Sequence, residues 1–169
     1  MSERINYWKL IGPEATFLTQ IEDKLNHGPL DLRLLETVRL RASQINGCGF
    51  CVRYHSQRLR MLGETEERID LIIAWREAPC YSEREQAVLQ WAETITLLSD
   101  HRNVPDTMYE QTRQFLSEEE LASLTLAVAM ANVWNRIAVA FRTDHSSIET
   151  LLKAADNMEQ YSDQKIGRA

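Results

Sequence analysis

The chain has 169 residues, enough for one domain with a single core, and its 44% hydrophobic and 26% charged residues exclude wholesale disorder. Six Gly and four Pro are too few for an all-β protein that turns every ~10 residues, and a formal charge of -6 argues against a nucleic-acid binder, which carries a basic face. No uninterrupted apolar run approaches the ~18 residues of a membrane span, and no apolar stretch of secretory type follows Met1-Ser2-Glu3-Arg4, so a cytoplasmic protein without nucleic-acid or membrane partners is the expectation.

The signals are helical nearly throughout, which predicts a single all-α domain. A first helix runs from Pro13, at its first turn, to about Leu25, where Gly28-Pro29 stops it. Asp31 caps a second, in which Leu34, Leu35, Val38, Ala42 and Ile45 recur at helical spacing, and Gly47 ends it. A third starts near Cys48 and closes at Leu62 with Gly63 beyond it. Thr65 opens a short helix through Ile69, Ile72, Ile73 and Trp75, which Pro79 ends. Ser82-Glu83-Arg84-Glu85 is a capping box before the stripe Val88, Trp91, Ala92, Ile95 and Leu98. Pro105 starts another short helix. A second box, Ser117 to Glu120, leads into the longest helix, Leu121 to about Phe141, which is apolar on most sides. Such a helix is buried in a core or an oligomer interface, and Asn132, Asn135 and Arg136 argue against a membrane span. Residues 147–160 form a short terminal helix, and those after Tyr161 are polar and frayed.

The chemistry concentrates between Glu36 and His55. Cys48 and Cys51 form a CxxC about one helical turn apart, and His55 follows Cys51 by four residues on the same face. A helix N-terminus, with its unpaired amides, favours the thiolate. Two thiols so spaced can close into a disulfide, one attacking and the other resolving. His55 can take a proton from a thiol or return one to a leaving hydroxide. Gly47 and Gly49 leave room for a substrate. Glu36, on the preceding helix, comes opposite His55 if the two helices pack antiparallel, and could then orient it or store its proton. The plainer alternative is a solvated Glu36 paired with Arg39 or Arg33, each three residues away. Cys48, Cys51 and His55 could also be three zinc ligands, but only the isolated His27, His101 and His145 remain for a fourth, so no metal or other cofactor is expected. Those three histidines read as surface or helix-end residues, and Cys80 as a small, partly buried hydrophobe.

The run from Leu40 through Cys51 (LRASQINGCGFC), with His55 beyond it, resembles the core of the AhpD-like proteins in the carboxymuconolactone decarboxylase superfamily. The likeness continues through Ala74 to Pro79, Ser82 to Glu85 and Asn132 to Arg136, and covers about residues 5–143, leaving a helical tail over 147–169. The resemblance implies a compact all-α fold, with the CxxC at a helix N-terminus, that assembles into trimers or hexamers. It implies a peroxidase that reduces hydroperoxides and is regenerated by an external dithiol, of lipoylated or thioredoxin-like type. In these terms Cys51 is the attacking thiol, Cys48 its resolving partner, and Glu36 with His55 the proton relay. One departure stands out: AhpD proper carries a His just before the second Cys, where this chain has Phe50.

Three functions are compatible with the sequence. The first is the thiol peroxidase. The second keeps the fold but uses Glu36 and His55 as acid–base groups on a carboxylated lactone, although that branch usually lacks the CxxC. The third is a non-enzymatic redox sensor whose Cys48–Cys51 disulfide changes assembly or partner binding.

Overall fold

In the computed structural model, which describes residues 2–101 and 103–156, side-chain caps set most helix starts. Helix α1 spans Tyr7–Asn26, and the Asn6 side chain accepts from the Lys9 amide at its start. It begins earlier than Pro13 because two helical segments join at Ile11, where the backbone leaves helical geometry (φ -127°, ψ 32°). Pro13 has no amide hydrogen for the Lys9 carbonyl, and its ring crowds that oxygen. The bend therefore falls just before Pro13, which occupies the first turn of the second segment.

Helix α2 (Leu32–Ile45) is capped by Asp31, which accepts from the Arg33 and Leu34 amides. Helix α3 (Gly49–Met61) is capped by Cys48 itself. Gly47 (φ +66°) turns the chain between them, and Gly63 (φ +80°) ends α3; both lie in the left-handed region that glycine adopts without steric cost. Helix α4 (Glu66–Leu71), capped by Thr65, tightens into a 3-10 turn at Ile72–Ala74 instead of continuing to Trp75. The three-residue repeat of that turn puts Ile72 and Trp75 on one side, where both are buried, and leaves Ile73 outside.

Both capping boxes form, at the starts of α5 (Glu83–Thr96) and α8 (Glu118–Phe141). Between them lie α6 (Leu98–His101), a single turn that the sequence pattern did not announce, and α7 (Asp106–Arg113), which follows Pro105. A 3-10 turn at His145–Ser147 leads into a last helix, α9, over 148–156. Positions 157–160 of the expected terminal helix, and the tail after Tyr161, lie outside the described residues. Among the described residues every regular element is helical.

Helix α2 is the centre of the fold and packs against α3, α5 and α8. Nine of its 14 residues are buried, including Glu36, Thr37, Arg39 and Ser43, so its polar groups must find partners inside the protein. The long α8 contains an 18-residue stretch of mean hydropathy 1.4, which by length and composition alone would suffice to cross a membrane. Here it is a core helix. Leu121, Leu124 and Val128, three and four residues apart, pack with Leu35, Val38 and Trp91. Farther along the same stripe come Asn135, also buried, and Ala138, which packs on Cys48 and Cys51.

Candidate functional site

The hairpin of α2 and α3 brings Glu36 and His55 together, with His55 Nδ1 2.7 Å from Glu36 Oε2. Glu36 is 3% exposed, which rules out the solvated reading, although its other oxygen does accept from Arg39 Nη1 at 2.8 Å. Burial alone would push the Glu36 carboxyl up, but His55 and then Arg39 outweigh it and hold the group at about 2, well below its ordinary 4.5. An ionised carboxylate only accepts hydrogen bonds, so His55 Nδ1 carries the hydrogen. In the neutral ring this leaves Nε2 as the free base, the tautomer needed to take a proton.

The guanidinium that supports Glu36 is itself held from α1. Arg39 Nη1 also donates to Asn26 Oδ1 at 2.8 Å, and Nη2 donates to Glu22 Oε2. Burial raises the Glu22 carboxyl, while Arg39 pulls the other way. Tyr54, beside this cluster, is pushed up to about 12 by burial and then by the charge of Glu36, so its phenol stays protonated.

Cys48 and Cys51 are joined as a disulfide, with Cα atoms 5.3 Å apart. The Cys48 sulfur accepts from the Cys51 amide at 3.3 Å and so caps α3 directly. Both cysteines sit where the unpaired amides and dipole of α3 favour negative charge on sulfur. They are not equivalent. A cavity of ≈400 Å³ is lined by Cys51, His55 and Glu36 together with Phe50, Tyr54 and Trp134, whereas Cys48 does not line it. Leu151, Ala154 and Ala155 of α9 complete one wall. A second, more open hollow of ≈550 Å³ runs along α8 beside Trp91 and Tyr109, with no thiol or imidazole in its lining.

The four residues singled out in the sequence are thus assembled around one turn of α3, three of them on one cavity. Phe50 packs edge-on against the ring of His145, centroids 5.6 Å apart, so the position where AhpD proper has a His is here apolar. Cys80 is a partly buried free thiol packed on the cluster around Trp75. Among the described residues, no group of three or more His, Cys, Asp or Glu side chains is placed to hold a metal ion.

The sequence reading missed the polar residues behind this constellation. Asn46, in the turn before Cys48, donates to Asn132 Oδ1 (3.0 Å) and Asn135 Oδ1 (2.8 Å) of α8. Asn135 in turn donates to Ser43 Oγ at 3.0 Å, and Ser43 to the Arg39 carbonyl at 2.7 Å. This network fixes the CxxC turn between α2 and α8. Its signal was present as two Asn residues in an otherwise apolar helix; read as interruptions, they were not read as ligands of a loop.

Residues 14–94 match the carboxymuconolactone decarboxylase family. An uncharacterised protein of Bacillus subtilis, YdfG, is 36% identical over 140 residues, which cover 83% of this chain and 95% of YdfG. The chain belongs to the carboxymuconolactone decarboxylase family. A crystal structure from Agrobacterium tumefaciens, of a protein of unknown function with a proposed AhpD antioxidant-defence role, superposes with a TM-score of 0.81 at 38% identity, covering 85% of this chain and 98% of that one. A peroxidase-related protein of Ralstonia eutropha JMP134 with an AhpD core, itself uncharacterised, shares the fold with a TM-score of 0.73 at 20% identity over 82% of this chain and 73% of that one. Within its family the chain is AhpD-like in fold and carries the CxxC pair.

Proposed function

We propose that this protein is a thiol-dependent peroxidase that reduces organic hydroperoxides or hydrogen peroxide. The observation that carries the reading is that one thiol of the CxxC and the Glu36–His55 pair open into the same cavity, with the second cysteine behind the first. In the reduced protein, His55 Nε2 takes the Cys51 proton. The thiolate attacks the terminal peroxide oxygen, the O–O bond breaks, and the leaving alkoxide takes the proton back from His55 as an alcohol. Cys51 is left as a sulfenic acid. The Cys48 thiol attacks that sulfur, a disulfide forms, and water leaves. An external dithiol, of lipoylated or thioredoxin-like type, exchanges with the disulfide and restores both thiols. Glu36 holds the imidazole in its productive tautomer and stabilises its charged form.

The test is stopped-flow oxidation of the reduced protein by hydrogen peroxide and by an organic hydroperoxide, with mass spectrometry of the product. Turnover with a dithiol, a Cys48–Cys51 link in the product and loss of the reaction in Cys51→Ser are the expected results. Catalysis of another kind that survives Cys48→Ser/Cys51→Ser, or oxidation of one equivalent without turnover, refutes the peroxidase. We also propose a cytoplasmic homo-oligomer, trimeric or hexameric; the assembly is suggested by Leu10, Phe17, Leu126 and Val139, which stand between 47% and 69% exposed on α1 and α8.

A further inference from the structure

The reaction above makes no use of one partly buried carboxylate on the cavity wall. Glu22 lies on α1, away from the CxxC in sequence, yet its side chain is only 20% exposed and lines the same cavity as Cys51 and His55. It does not touch Glu36 or His55. It bonds Arg39 Nη2, and Asn26, one turn on, takes Arg39 Nη1 at 2.8 Å. These two grips from α1 fix the plane of the guanidinium, and in that plane Nη1 reaches Glu36 Oε1 at 2.8 Å. The remaining oxygen of Glu36 is thereby presented to His55 Nδ1. Trp134 of α8 lines the same cavity and stacks on Trp8 of α1, ring centroids 6.1 Å apart.

The charges add a second consequence. Arg39 is permanently cationic and Glu36 ionised, so these two cancel. When His55 accepts a proton, the cluster carries an excess positive charge unless Glu22 is negative. Tyr54, protonated, cannot supply that charge, and the other charged groups facing the cavity are Arg58, with Asp23 and His27 at its α1 edge.

We propose that Glu22 is a positioning residue for the Glu36–His55 pair: through Arg39 it fixes the carboxylate that orients His55, and its charge supports the imidazolium formed when His55 takes the Cys51 proton. The catalytic meaning of this rests on the peroxidase reading; the effect on His55 does not.

The experiment is NMR titration of the His55 imidazole in the full chain, comparing wild type, Glu22→Gln and Glu22→Asp. Gln keeps the shape and removes the charge; Asp keeps the charge on a shorter stem. In Glu22→Gln the His55 midpoint should fall by about half to one pH unit, a threefold to tenfold loss of proton affinity. Glu22→Asp should recover most of it. An unmoved midpoint in Glu22→Gln overturns the proposal and leaves Glu22 as an anchor between α1 and α2. A measurement that needs no variant is the wild-type Glu22 carboxyl carbon shift, which should respond as His55 titrates; a flat response overturns the proposal equally. Peroxide consumption by the same samples separates the two readings. If wild type consumes none, the peroxidase reading falls, while the His55 midpoint still decides the role of Glu22.

Discussion

Glu36→Gln tests the centre of the site through stability as well as rate. The substitution keeps the shape and removes a buried negative charge from between Arg39 and His55. In the folded protein the carboxyl titrates at about 2 rather than 4.5. At 1.36 kcal/mol per pH unit, that difference corresponds to about 3 kcal/mol of stability at neutral pH. Because the folded value is the lower one, the contribution is complete above pH 4.5 and is lost as pH falls through about 2. Urea unfolding at pH 7, where the gap between wild type and Glu36→Gln should be about 3 kcal/mol, is therefore to be repeated in steps down to ~pH 2.5, where most of the gap should have closed. Glu85, Glu93 and Glu120 are also held below their ordinary values, but they are common to both proteins and cancel in the difference. Glu22 does not cancel fully. Burial raises it and Glu36 adds to the rise, so losing the Glu36 charge relaxes Glu22 and trims the gap at neutral pH. A gap that stays constant from pH 7 to 2.5 would falsify the account of Glu36 as an ionised, buried partner of His55 and Arg39.

Three further outcomes are expected. His55→Ala should slow peroxide oxidation of Cys51 by about 10²-fold, the scale of a lost general base, while the circular dichroism of the helices is retained; an unchanged stopped-flow rate removes His55 from the mechanism. Gly47→Ala adds a methyl group that meets nothing within 4 Å but must sit at φ +66°, so chemical denaturation should show a loss of about 1 kcal/mol from backbone strain alone, and a neutral result contradicts the left-handed turn. Light scattering at micromolar concentration should report at least a dimer; a clean monomer would show that the exposed apolar residues of α1 and α8 have no partner in a second copy.

What the sequence made legible was local. Asp31, Thr65, Ser82 and Ser117 announced helix starts because a cap is a contact across three residues, and Gly47 and Gly63 announced turns for the same reason. Pro13 announced a helix break but hid the segment before it, since the Tyr7–Ile11 turn is capped by Asn6 and held against Phe141 by Tyr7, ring centroids 6.2 Å apart. The site divided along the same line. The CxxC and His55 share one helix and could be read from their spacing. Glu36 required the α2–α3 hairpin, whose connection is short enough to suggest it. Glu22 and Asn26 required α1 to cross α2, and Asn132 and Asn135 required α8 to reach Asn46. Those contacts span 13 to 89 residues and leave no periodic mark.

That division explains why the Glu36 alternatives were hard to separate from sequence. Both named a true partner, since Arg39 and His55 each take one oxygen of the carboxylate. Spacing alone makes a Glu–Arg pair three residues apart look like a solvated surface pair worth a few tenths of a kcal/mol. Burial changes its meaning. Inside the protein a buried guanidinium needs partners, and α1 brings Glu22 and Asn26 to its two Nη groups, although Nε is left without one; Glu36 gives its second oxygen to His55. On the proposed mechanism the proton chemistry of α3 depends on a helix that contributes nothing to the CxxC, and a change in α1 that leaves every cysteine and histidine in place should still alter the reactivity of Cys51.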